Sequence, residues 1–161
     1  MQFKRVGISI AVLVLIYLLS LIGIYFGAPD PTITTFPEDC PPTPNCTRVA
    51  EFNVRGEGLR PLKLNATLRE VHDAILNWID VQPRTEILRD NGTFIHAKFL
   101  SFVFRFPDDL YVQLFCVGNQ TSFWVQSQSR LGRGDLNVNE ERVQSLFSFI
   151  ESVEFELNSC S

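Results

Sequence analysis

Ser127-Gln-Ser-Arg-Leu-Gly-Arg-Gly-Asp-Leu-Asn-Val-Asn-Glu-Glu-Arg-Val143 leaves one kind of local structure and enters another. Ser122–Ser129 reads as a strand. A polar loop with Gly132 and Gly134 follows, and a helix is expected from Asn139. Val138 and Val143 have the spacing of a hydrophobic staple, and Glu140 and Glu141 favour a helix N-terminus. Val143, Leu146, Phe147 and Ile150 then fall on one helical face. A strand followed by a one-faced helix needs a sheet to cover, so the rest of that sheet must lie upstream.

Phe52–Arg55 reads as a short first strand, with a Gly56–Gly58 turn after it. Thr67 and Glu70 form a capping box. Val71, Ala74, Ile75, Trp78 and Ile79 then recur at helical spacing, with His72 off the stripe and expected at the surface. Pro83 marks the helix end. Arg84–Arg89 alternates as a strand, and Asn91-Gly92 is a strong hairpin signal. Thr93–Phe106 reads as one long strand. Its apolar parity changes from Ile95, Ala97 and Phe99 to Leu100, Phe102, Phe104 and Phe106. That change predicts a bulge near Phe99–Ser101, or burial on both faces in the second half. Pro107-Asp108-Asp109 is a turn, and Leu110–Val117 joins Ser122–Ser129 at Gly118-Asn119. The order is strand, helix, four strands, helix. It predicts an α+β domain with an antiparallel sheet and two helices packed on one face.

Val6–Phe26 is apolar and long enough to cross a bilayer, which takes about 20 residues. Lys4 and Arg5 precede it, and Asp30, Glu38 and Asp39 follow. Positive charge stays inside, so the N-terminus is expected in the cytoplasm and the domain in the periplasm, a lumen or the cell exterior. A cleaved signal peptide is the alternative, but Tyr25 and Phe26 make a poor cleavage site. The chain divides into a cytoplasmic tip and transmembrane anchor (1–27), a linker (28–46) and a domain (47–161). Six prolines in the linker predict an extended spacer that holds the domain off the membrane. The bilayer is the expected partner of Val6–Phe26, with membrane-complex proteins on the far side. A net charge of −4 argues against nucleic acid.

Cysteines exported past a membrane suggest disulfides. Cys40 and Cys46 bracket a short proline-rich bend and are expected to pair. Cys116 and Cys160 pair if the tail packs back; otherwise they stay thiols. The spacing fits no zinc pattern, and the sequence implies no metal or cofactor. Asn45, Asn65, Asn91 and Asn119 each begin a glycosylation triplet in an expected loop, turn or helix start.

Arg105, Asp108, Asp109, Arg130, Asp135 and Arg142, with His96, form the densest set of chemistry-bearing residues. They can make an anion pocket, because arginine forks bind carboxylates and phosphates bidentately, with His96 as a general base. They can instead be structural, with Arg130–Asp135 and an Arg142–Asp pair pinning the loop to the sheet. Asp108 and Asp109 point to opposite sides if extended. No nucleophile elbow, zinc-protease helix or phosphate loop is present. Two functions follow: a membrane-anchored, non-enzymatic accessory or binding module, or a small-anion binder or hydrolase using the Arg/His/Asp cluster.

Several segments resemble one family. They are Pro44-Asn45-Cys46, His96-Ala97-Lys98-Phe99, Phe104-Arg105-Phe106-Pro107-Asp108-Asp109, and Ser129-Arg130-Leu131-Gly132-Arg133-Gly134-Asp135 with Asn139, Arg142 and Val143. The pattern resembles the "domain of unknown function 1499" group over about Cys40–Ile150. Members usually carry Ser where Gly134 stands and Gly where Asn137 stands. Asn tolerates a left-handed backbone, so the turn survives the second change. The resemblance implies a fold and a location and carries no reaction with it.

Overall fold

The computed structural model describes residues 2–160, with side chains from Val6 onward. Helix α1 (Gln2–Gly27) is unbroken. Its Val6–Gly27 portion is long and apolar enough to cross a membrane. The domain that follows has the expected element order, and its first strand lies earlier than expected. Strand β1 is Cys46–Val49, not Phe52–Arg55. Arg55 has φ 55° and Phe52 is 79 % exposed, so that stretch cannot extend into a buried ladder. It folds back instead, with Arg48 and Val54 exchanging backbone hydrogen bonds of 2.8 and 3.0 Å.

Helix α2 (Leu68–Asp80) starts at the expected capping box. The Thr67 amide donates to the Glu70 carboxylate at 2.7 Å, and the Glu70 amide donates to the Thr67 hydroxyl at 3.2 Å. Val71, Ala74, Ile75, Trp78 and Ile79 are all buried. His72 is buried too, which corrects its expected place at the surface. Its Nε2 lies 2.8 Å from Asp90 Oδ1. The partner sits on the neighbouring hairpin, which helical spacing alone could not reveal.

Strands β2 (Thr85–Asp90) and β3 (Phe94–Leu100) form the Asn91-Gly92 hairpin. Gly92 takes φ 86°, and Asn91 Oδ1 accepts from the Thr93 and Phe94 amides. The register irregularity falls in β2, between Ile87 and Arg89, and not at Phe99–Ser101. The change of apolar parity there marks the end of a strand. β3 stops at Leu100, and Ser101–Phe106 is a turn. The Ser101 amide donates to the Phe106 carbonyl, and the Phe106 amide donates to the Ser101 hydroxyl. Arg105 reverses the chain at φ 57°. Phe102, Phe104 and Phe106 are therefore exposed and not part of the core.

Strands β4 (Pro107–Val117) and β5 (Gln120–Ser129) turn at Gly118, φ 61°. The five-stranded antiparallel sheet has the order β1-β5-β4-β3-β2. Helix α3 is Val138–Ser152. One sheet face presents Val49, Ile95, Ala97, Phe99, Leu110, Val112, Leu114, Phe123 and Val125. These pack on the stripes of α2 and α3 in one core. Phe123 and Phe147 rings meet at 5.2 Å. Burying each such side chain contributes about 1.5–3 kcal/mol, so this face dominates the domain's stability.

The opposite face is also covered, which corrects the expected spacer. Residues 28–40 form a strap along it. Phe36 packs on Trp124 at 5.8 Å and lies under the Arg48 guanidinium at 4.7 Å. Arg48 donates to the Pro37 carbonyl at 2.7 Å, and Gln126 donates to the Asp39 carbonyl at 3.2 Å. The Pro37 and Asp39 carbonyls of the strap thus find partners on the sheet. Both disulfides form. Cys40–Cys46 fastens the strap to β1, and Cys116–Cys160 fastens the tail to β4. The tail is further held by Asn158 N–H to Asn65 O and Cys160 N–H to Asn119 O.

Candidate functional site

Asp108 and Asp109 are neighbours on β4, and extended backbone sends them to opposite faces. Each organises a separate polar centre.

Asp108 faces the helices. Arg142 Nη2 donates to Asp108 Oδ2 at 2.8 Å, and Arg142 Nη1 reaches Ser127 Oγ and Asn139 Oδ1, both at 2.7 Å. The Arg142 guanidinium also stacks 4.5 Å from the centre of the Phe99 ring. Asn139 is fully buried and donates to Asn45 O and Ser129 Oγ, each at 3.0 Å. Asp135 accepts from the Asn139 amide at 3.2 Å and from Arg55 Nη1 at 3.0 Å. Burial opposes ionisation of Asp135, but the bonds from Asn139 and Arg55 outweigh it and hold its carboxyl below the usual range. The loop-to-helix entry runs through Leu136 and Asn137, both left-handed at φ 51° and 66°. Asn137 thus occupies the glycine-like position expected of it. The end of β5, the loop and α3 are joined by a closed hydrogen-bond network, which is a latch.

Asp109 faces the strap. His96 Nε2 lies 2.7 Å from Asp109 Oδ1. Arg130 grips the same carboxylate with two nitrogens, at 2.9 and 2.6 Å. A third Arg130 nitrogen donates to Asp30 at 2.6 Å, and Lys98 bonds Asp30 at 3.2 Å and Glu86 at 2.8 Å. Burial opposes ionisation of Asp109, yet His96 and Arg130 together keep its carboxyl below the ordinary range. The Arg130 hydrogen bond does the same for Asp30. The Tyr111 ring lies 4.5 Å from His96, and burial raises its phenol.

The structure therefore divides the expected cluster. His96 and Arg130 share Asp109. Asp135 and Arg142 share Asn139 on the other face. The expected Arg130–Asp135 pair does not form, because Asp135 meets Arg55 and Arg130 meets Asp109 and Asp30. Arg105 is on the turn and not on the sheet. Beside it a cleft of about 720 Å³ opens between the end of α1 and the sheet. Leu21, Ile22, Tyr25 and Phe26 wall one side, and Lys98, Arg105 and Arg130 the other. His96 does not line it and is 1 % exposed. Lys98, Arg55 and Asp30 were missed from sequence. Lys98 shares His96's strand parity, which is a usable signal. Arg55 and Asp30 have none, since their partners are distant in the chain.

Of the glycosylation triplets, Asn65, Asn91 and Asn119 are exposed. Asn45 is 1 % exposed and donates its Nδ2 to the Gly132 carbonyl at 3.0 Å. It is a component of the latch with no room for a glycan.

A family model described as a protein of unknown function (DUF1499) matches residues 38–150, and the chain belongs to this family. No curated protein matches the chain. The matched span contains the latch and the Asp109 centre. It begins after the apolar helix and after Asp30.

Proposed function

We propose that this DUF1499 member is a single-pass, membrane-anchored, non-enzymatic binding module on the non-cytoplasmic side of its membrane. One observation carries the reading: the chain between the apolar helix and the sheet is folded into the domain. Asp30 follows α1 by a few residues and bonds Lys98 and Arg130, so helix and domain share one framework. The helix itself also meets the domain, where the Tyr17 hydroxyl donates to the Val103 carbonyl at 2.9 Å, a contact a removable leader would not need. The two disulfides suit an oxidising compartment. The charged groups with catalytic potential are spent on one another, in buried ion pairs that hold segments together.

The test is topology. Full-length protein in native membranes should resist alkaline extraction and keep an intact mass that includes α1. A C-terminal tag should be protected from protease added on the cytoplasmic side, and an N-terminal tag should be cleaved. A mature protein starting near Ala28 would sink the anchor. Proteins that co-purify after mild solubilisation would identify the complex it serves.

A second reading has its own observation. The cleft between α1 and the sheet combines an apolar wall with three cations, the chemistry of an anionic amphiphile site. Acidic residues already neutralise Lys98 and Arg130, so Arg105 is the cation free to meet a ligand. Arg105→Ala should weaken binding of a phosphate-headed amphiphile and leave folding unchanged. Equal binding by the variant would remove this reading.

A further inference from the structure

We infer that the Ser101–Phe106 turn inserts into the lipid leaflet beside the protein's own anchor, making the bilayer surface a docking partner of the domain. The inference rests on the membrane-anchor reading above. Phe102 is 77 % exposed, Val103 50 %, Phe104 44 % and Phe106 40 %, on one six-residue turn. Clustered aromatic and aliphatic side chains of this kind mark an interaction surface.

The occupant is set by where the turn lies. The Tyr17 hydroxyl of α1 donates to the Val103 carbonyl at 2.9 Å, and the Tyr17 and Phe104 rings are 6.3 Å apart. Helix α1 rises about 15 Å between Tyr17 and Gly27, at about 1.5 Å per residue. The apolar layer of a bilayer is about 30 Å thick. With Val6–Gly27 spanning it, a turn touching Tyr17 lies inside that layer. Water is excluded there, so each backbone group bonded within the protein lowers the cost of entry. The Ser101 and Phe106 amides are bonded within the turn, and Tyr17 serves the Val103 carbonyl. Arg105 points to the cleft along with Lys98 and Arg130, where a long side chain can reach lipid phosphates from an apolar base. Arg84 stacks over Phe102 at 5.3 Å, so this ring carries a cation on its face.

The experiment uses the full chain in phosphatidylcholine vesicles, some with acyl chains brominated near their midpoint, which quench only nearby indoles. Phe104→Trp reports the turn. Ile22→Trp reports the anchor. Leu157→Trp reports a site 88 % exposed on the disulfide-linked tail, at the far end of β4. The wild-type emission of Trp78 and Trp124 is subtracted. Phe102→Trp repeats the turn measurement should Phe104→Trp lose its native circular dichroism. Quenching of most of the added emission in Phe104→Trp and Ile22→Trp, with none in Leu157→Trp, is the expected result. Ile22→Trp quenched while Phe104→Trp answers only to aqueous acrylamide overturns insertion and leaves the anchor standing. Ile22→Trp unquenched overturns both.

Discussion

Arg130 and Asp30 are 100 positions apart in the chain and 2.6 Å apart in space. The contact joins the start of the strap to the end of β5, and through Asp109 it continues to His96 in the sheet. Asp30 is half exposed, so solvent screens the pair and its energy is modest, about 0–1 kcal/mol. Asp30→Asn should barely change the unfolding midpoint. It should speed limited proteolysis within the strap. Unchanged cleavage there would show that Phe36 and the disulfide alone hold the strap.

Asp109 is the deeper member. Its side chain is 1 % exposed and serves both His96 and Arg130. Removing one partner of a buried pair leaves the other charge uncompensated. Asp109→Ala should cost about 3–5 kcal/mol in urea unfolding. Asp108→Ala removes the acceptor of Arg142 on the other face but leaves that arginine Ser127, Asn139 and Phe99, so its cost should be smaller.

The acid response follows from the same groups. Asp30, Asp109 and Asp135 all have carboxyls held below their ordinary value. A depressed folded-state value means the stabilisation is complete above the unfolded value, about 3.9 for Asp. It is lost as pH falls through the lower folded values. Stability should therefore hold from neutral pH down to about 4 and drop below it. Asp109→Asn should flatten that limb, as read by urea midpoints against pH.

The helix entry at Leu136-Asn137 is the place where backbone strain is testable. A non-glycine residue in left-handed conformation costs about 1–2 kcal/mol, less for Asn. Asn137→Val should lower the thermal midpoint, having both the strain and the loss of the Arg55 contact to Asn137 Oδ1. Leu136→Gly should raise it, because Leu136 is 94 % exposed and gives up no packing. A fall on Leu136→Gly would mean that the leucine has a partner in solution.

The two disulfides should differ in worth. Loop closure by Cys116–Cys160 spans 44 residues, against six for Cys40–Cys46. Constraint of the unfolded chain predicts a loss of about 4 kcal/mol for the longer bridge and about 2 for the shorter. Paired Cys→Ala variants in urea would measure both. The shorter bridge should in turn govern protease cleavage of the strap.

Sequence reading succeeded where a local rule has a local cause. Thr67 and Glu70 cap α2, Asn91-Gly92 turns a hairpin, and the α3 stripe faces the sheet. It failed where the cause lay elsewhere in the chain. Phe102-Val103-Phe104-Arg105-Phe106 alternates as a strand does, yet Arg105 turns the chain back and α1 lies alongside. Phe52–Arg55 has strand composition, but β5 pairs with Cys46–Val49 instead. Prolines in 28–46 suggested a free spacer because nothing in them announces Trp124 or Gln126 as partners. In the candidate site, residue identities were legible and pairings were not. Which aspartate meets which arginine depends on the parity of β4 and on the path of the strap.

A domain on a swivelling tether meets its neighbours in the membrane plane by any side. Here Asp30, Phe36 and Cys40 attach the strap at three points along one face. On the anchor reading proposed above, turning α1 about its own axis then turns the domain with it. The strap's contacts restrict the azimuth of the sheet relative to the helix, so on that reading a second protein in the membrane plane would meet the domain from fewer sides. The strap thereby narrows an orientational search that a flexible linker would leave open.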